Sequence, residues 1–348
     1  MSGWLPTLAA LLAVALQGAP PGKPAALPPD IEAAILAAEQ LEAQGAYEAA
    51  RRQIAAVQPQ VPPKQRNAMD LWICNLWRRA GDRPEARRCY ARLATSWVPS
   101  ETQALAAYHA AFIAFELGDE QTALDELDAA IVAYPQTDGA QRAMVWMRGR
   151  LRQRGGAAAE ADYLIGLASR LRARGGKRGH RALAAALVDA GRIRLVERGA
   201  VAAAEMLLGE ALQVAVDTVW ADDALYWAAH AARLAKRWER ALRLYGQLAD
   251  AHRSSWVVGS YVSAYYDDAL LELGVTWEAM GKCQEALAAY SRVAEDAPTS
   301  ILVDDARFAA ARLPCAPDPG GALRAFLRDH PDSRWVAAAR ATLQERAR

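Results

Sequence analysis

Between Tyr266 and Ser300 the chain reads YDDALLELGVTWEAMGKCQEALAAYSRVAEDAPTS, with Gly274, Trp277, Gly281, Ala286, Tyr290 and Pro298 at fixed offsets. The same ruler of about 34 residues fits other stretches. Gly45, Tyr47, Ala50 and Pro62 fall on it, as do Trp77, Gly81, Ala86 and Tyr90, and Gly118, Ala123, Ala130 and Pro135. A further copy has Trp238, Ala241 and Tyr245, with Lys236 in the place of the bend glycine. Two weaker copies keep only small residues, Gly156 with Ala161 and Gly199 with Ala204. A unit this short cannot bury its own apolar face, so its copies must stack.

Alanine makes up nearly a quarter of the chain, while β-branched residues and Phe are scarce, which favours helix almost everywhere. In each copy the small residues let two antiparallel helices approach and the Trp and Tyr rings fill the space beside them. The glycine takes the left-handed bend after the first helix, and the proline stops the second. In period and in these residues the chain resembles the tetratricopeptide repeat family from about Ile31 to Gln344. The resemblance implies an all-α fold over residues 30–348: a right-handed superhelical solenoid of antiparallel helix hairpins, about seven or eight units long. The segments TVWADDALYWAAHAARLAKRWERALRLY, PTSILVDDARFAAARL and HPDSRWVAAARATL look like the repeats of bacterial envelope tetratricopeptide proteins, such as the Tol–Pal coordinator and the barrel-assembly lipoprotein. This likeness implies an extracytoplasmic adaptor without activity of its own, although the chain has no lipobox cysteine and no clear N-terminal coiled coil.

Residues 1–19 contain an apolar run from Leu5 to Leu16 followed by small residues, the pattern of a secretory signal peptide. That run is too short to span a bilayer comfortably, so the mature chain is expected to lack a transmembrane span. No Lys or Arg precedes it, which leaves open an ordinary apolar N-terminal helix and a cytoplasmic protein. Residues 20–29 read as a Pro-rich linker.

Nothing in the sequence points to catalysis. His109, His180, His230, His252 and His330 lie far apart and outside metal-ligand spacing, so no metal or cofactor is expected. The run RARGGKRGHR lacks the first glycine of a phosphate loop and has Arg178 after the lysine, where Ser or Thr is needed. A formal net charge of +1 gives no global pull towards nucleic acid. Charge is instead segmented: residues 142–198 hold about fourteen Lys and Arg against about four Asp and Glu. That segment reads either as solvated helix faces or as a patch for an acidic partner or anionic envelope polymer.

Extending the repeat register to the groove side of each first helix selects Leu71 and Trp72, Tyr108 and His109, Trp146, and Tyr226 and Trp227. Asn75, Arg79, Arg150, His230 and Arg233 fall beside them, able to hold a peptide backbone or a carboxylate. These rings either form a partner-binding stripe or pack between successive units. The expected role is a noncatalytic scaffold binding another envelope protein; a glycan- or polymer-binding accessory module and a cytosolic adaptor are the alternatives. Of the four cysteines, Cys74 and Cys89 flank the bend at Gly81, while Cys283 and Cys315 lie about one period apart near successive bends. Two disulfides, Cys74–Cys89 and Cys283–Cys315, follow if the chain is exported, and four buried thiols if it is not.

Overall fold

The structure, a computed structural model, describes residues 27–95, 100–258 and 263–346. The expected signal segment lies outside the described residues. Among the described residues there are sixteen α-helices and no strand, and no helix is long and apolar enough to cross a membrane. The chain divides into two compact units, one ending at Glu160 and the other beginning at Ala161.

The first unit contains α1 (Pro29–Ala43), α2 (Tyr47–Val57), α3 (Pro63–Arg79), α4 (Arg83–Ala94), α5 (Glu101–Glu116), α6 (Glu120–Ala133) and the start of α7 (Asp138–Ala173). From α1 to α6 each helix packs on the next, and α3 also touches α5. Bends at Gly45, Gly81 and Gly118 have φ of 77°, 84° and 88°. Asp82 and Asp119 cap α4 and α6, accepting from Glu85 N and Thr122 N at 3.1 Å each. Gly156, with φ 67° and ψ −167°, breaks α7 in a conformation essentially reserved for glycine. Glu160, 2% exposed, closes over that break by accepting from Arg148 Nε at 2.8 Å and Arg152 Nε at 2.5 Å.

The second unit runs through α8 (Arg181–Val196), α9 (Val201–Val214), α10 (Ala221–Leu234), α11 (Trp238–Val258), α12 (Tyr266–Ala279), α13 (Cys283–Asp296), α14 (Val303–Arg312), α15 (Pro319–Asp329) and α16 (Val336–Arg346). Here too each helix packs on the next. The close approach expected of Gly274 is real: a Cβ there would lie 2.4 Å from the Tyr290 ring. Tyr90, Tyr245 and Tyr290, on the second helices of three hairpins, are among the largest fully buried side chains.

The repeated Ser-then-Asp-Asp pattern stitches hairpin to hairpin. Ser300 Oγ donates to Asp267 Oδ2 at 2.5 Å, and Ser333 Oγ donates to Asp304 Oδ2 at 2.6 Å. Each serine oxygen also accepts from its own next helix start, from Leu302 N at 3.0 Å and Trp335 N at 3.2 Å. The carboxylate on the first helix of one hairpin thus fixes where the next hairpin begins.

Both cysteine pairs are bonded. Cys74 on α3 and Cys89 on α4 join the two arms of one hairpin with Cα atoms 5.3 Å apart. Cys283 at the start of α13 and Cys315 after α14 join neighbouring hairpins with Cα atoms 6.0 Å apart.

Candidate functional site

Each unit carries one face on which the first helices of successive hairpins gather rings and charges. In the first unit α5 supplies Tyr108, His109, Phe112 and Phe115, at the i, i+4, i+7 spacing that lines one side of a helix for 108, 112 and 115. The rings form a continuous ladder: Tyr108 to Phe112 at 6.4 Å, Phe112 to Trp146 at 6.4 Å, and Phe115 edge-on to Trp146 at 5.0 Å. The Arg150 guanidinium caps it, 4.7 Å from the Phe115 centroid, while Nη2 donates to Glu120 at 2.8 Å. His109 lies between Tyr108 and Tyr90, whose ring centres are 5.2 and 5.1 Å away. Burial, followed by Arg78 and Arg142, pushes the His109 imidazole down to about 4, so it is neutral at neutral pH. Burial raises the Tyr90 phenol to about 12, and its hydroxyl donates to Asn75 Oδ1 at 2.5 Å.

Tyr108, His109, Trp146 and Arg150 are therefore brought together, with Asn75 tied in through Tyr90. Trp72 and Arg79 are not part of this group. Trp72 is 5% exposed, packs in the core with Ile31 and Ile54, and donates its indole N–H to Glu42 Oε2 at 2.7 Å. Arg79 pairs with the same carboxylate. The repeat register alone missed Phe112, Phe115, Arg78 and Arg142; the aromatic spacing along α5 was the available signal for the two Phe.

The second unit builds a face of opposite character. Tyr226 on α10 stacks on Tyr265 at 4.5 Å and 12°, with Trp227 edge-on to Tyr226 at 5.1 Å. Tyr226 is 9% exposed and belongs mostly to the core. Tyr265 Oη donates to Asp223 Oδ1 at 3.2 Å, and Arg192 lies 6.0 Å over the Trp227 ring. Arg233 Nε is 2.7 Å from Glu272 Oε2, a contact of charges rather than a directed hydrogen bond. Burial and then neighbouring Arg233 bring His230 down to about 4. Burial, reinforced by other carboxylates, raises Asp223 and Asp268, and burial raises Glu272 in spite of Arg233.

Seven of the arginines in the basic segment 142–198 meet carboxylates. Arg148 and Arg152 meet Glu160, Arg150 meets Glu120, Arg172 meets Glu210, Arg178 meets Asp217, Arg192 meets Asp189 and Arg194 meets Asp162. Arg142 has no such carboxylate among the described residues. No group of three or more His, Cys, Asp and Glu among the described residues is placed to hold a metal ion.

The tetratricopeptide repeat family model matches residues 223–255 and 268–300, the α10–α11 and α12–α13 hairpins. Among solved structures, the C-terminal part of a tetratricopeptide-repeat protein from Cytophaga hutchinsonii is 12% identical over 78% of this chain and 98% of that one, with a TM-score of 0.44. A chain of the APC/C hetero-tetramer Cut9–Hcn1 is 12% identical over 74% of this chain, with a TM-score of 0.40, and this chain spans 45% of its length. A tetratricopeptide repeat protein from Parabacteroides merdae is 13% identical over 79% of this chain and 96% of that one, with a TM-score of 0.32. No curated protein matches the sequence.

Proposed function

We propose that this helix-hairpin protein is a noncatalytic scaffold of the bacterial cell envelope that binds a segment of another protein across the first helices of its hairpins. The observation that carries the reading is the ring ladder Tyr108, Phe112, Trp146 and Phe115, bordered by Arg78 and Arg142 with no carboxylate opposing them at His109. Rings of this kind cover a large area at small entropic cost and anchor interface hot spots, and the cations favour an apolar segment carrying acidic residues. The two disulfides support an oxidising compartment, the repeat likeness supports the envelope, and both agree with a cleaved segment at residues 1–19.

The partner is captured from envelope fractions, identified by mass spectrometry and titrated against purified variants. Tyr108→Ala and Trp146→Ala are each expected to weaken binding by about 2 kcal/mol while the helical circular-dichroism spectrum is kept. Arg142→Gln is expected to weaken it less and to reduce its salt dependence. Unchanged affinity in all three folded variants would leave the rings as packing between hairpins. N-terminal sequencing of the native protein is expected to begin between about Leu16 and Lys23; a chain beginning at Met1 in a cytosolic fraction removes the envelope assignment.

A further inference from the structure

The second unit has a cavity of about 520 Å³ on the side of its second helices, walled by α13 and α15 and floored by α14. Neither aromatic face reaches it. A dry cavity of about 150 Å³ is enough to hold benzene, and small-molecule sites run from about 300 to 1,000 Å³. The floor and walls are built from small apolar residues, Ala310 and Ala325 among them, with the Phe326 ring at depth.

The charges around the mouth do not cancel one another. Asp318 is committed to the start of α15, accepting from Gly321 N at 2.8 Å, and Asp329 to Arg328 at 3.0 Å. Three full charges stay without an opposite side-chain charge among the described residues: Glu295 at the end of α13, Arg307 on α14, and Asp318, whose carboxylate is turned to the backbone of α15. Arg307 Nη1 lies 2.9 Å from His330 Nε2, an acceptor when that imidazole is neutral, which aims the guanidinium at the mouth without neutralising it. With Asp318 held by the α15 backbone, Arg307 and Glu295 are the cation and the anion left to a ligand at the rim, and the apolar trough between them suits a molecule with an apolar body and both charges.

We infer that this trough binds a short apolar peptide with free ends, its carboxylate on Arg307, its ammonium on Glu295 and its side chains over Ala310 and Ala325. The site is independent of the partner-binding face, so either assignment can fail without the other.

Calorimetric titration of the full chain with the tripeptide Leu-Ala-Leu tests it, alongside the N-acetylated and the C-amidated forms. The free tripeptide is expected to bind, and each blocked form and each of Glu295→Gln and Arg307→Gln to bind about tenfold more weakly. Ala325→Leu, which fills the trough, is expected to abolish binding; should that variant unfold, the two rim variants, both at exposed positions, still decide. Binding of either blocked form within about twofold of the free peptide overturns the assignment, because one charged end is then unused. Charge variants with unchanged affinity overturn it, as does the absence of heat at about 1 mM peptide.

Discussion

The two aromatic faces share a plan and differ in charge. In both, one first helix, α5 or α10, carries aromatic residues and a histidine that burial and neighbouring arginine hold at about 4. Around His109 the charged neighbours are Arg78 and Arg142. Around His230 and Tyr226 they are Arg233 together with Glu272 and Asp268. One repeat framework can thus present a cationic ring ladder in one unit and a carboxylate-lined ring cluster in the other, because the framework fixes only the small and aromatic positions and leaves the rim free to vary.

The largest test of this difference is the disulfides. Cys74 neighbours Asn75 on the helix that carries Arg78, so Cys74–Cys89 holds part of the first face in place. Cys283–Cys315 ties the second helices' side of the other unit, away from Tyr226. In the chain-entropy model the loops of 15 and 32 residues correspond to about 3 and about 3.7 kcal/mol. Replacing both cysteines of each pair by Ala is expected to cost about those amounts, each in its own unit, read by segment-resolved hydrogen exchange. Partner binding at the ring ladder is expected to suffer only from the Cys74/Cys89 change. Equal losses of exchange protection in both units from either change would show that the bonds do not act locally.

Acid separates the two faces next. A histidine whose native value is about 4, against about 6.5 when unfolded, gives stability that is complete above 6.5 and is lost as pH falls from 6.5 towards 4. The loss is on the order of 1–2 kcal/mol per histidine by pH 5. The raised carboxylates Asp223, Asp268 and Glu272 act in the opposite sense. Their native forms keep protons that the unfolded chain releases, so their contribution grows as pH falls through their native values. Burial also raises Asp70 and Glu126 in the first unit and lowers His180 in the second, so the contrast belongs to the two faces: exchange protection around His230 on α10 is expected to fall less on acidification than around His109 on α5. His109→Gln is expected to flatten the profile around α5, and exchange protection that falls equally at both faces would remove the distinction.

The repeat ruler made the scaffold legible because its positions are satisfied within one hairpin: Gly274 against Tyr290, the bend at Gly81, and Cys74 beside Cys89. It was less informative about the faces. Trp72 falls on the groove side of the register, yet Glu42 from the preceding hairpin accepts its indole N–H and draws it into the core. The basic run is partly paired by carboxylates from other helices, as in Arg150 with Glu120, Arg172 with Glu210 and Arg178 with Asp217, at sequence separations of 30, 38 and 39. Those pairings depend on which rotamers meet across hairpins, and a residue count along the chain does not contain that information.

The smallest effect is expected at the bend between α10 and α11, where a lysine stands in the glycine position. Lys236 occupies the glycine position with φ 58°, where Gly281 in the next hairpin has φ 73°. The two bends bond alike: Lys236 N to Arg233 O and Arg237 N to Ala232 O at 2.9 and 2.8 Å, Gly281 N to Glu278 O and Lys282 N to Trp277 O at 2.9 Å each. A Cβ at Gly281 would meet nothing within 4 Å, so only backbone preference separates lysine from glycine there. A left-handed non-glycine residue costs about 1–2 kcal/mol, and glycine returns part of that through the greater freedom of the unfolded chain. Lys236→Gly is therefore expected to stabilise α10 and α11 by about 0.5 kcal/mol, and Gly281→Lys to destabilise α12 and α13 by a similar amount. Urea unfolding read with hydrogen exchange in each hairpin checks both. A Lys236→Gly variant less stable than the parent would mean that the lysine side chain itself contributes to the bend.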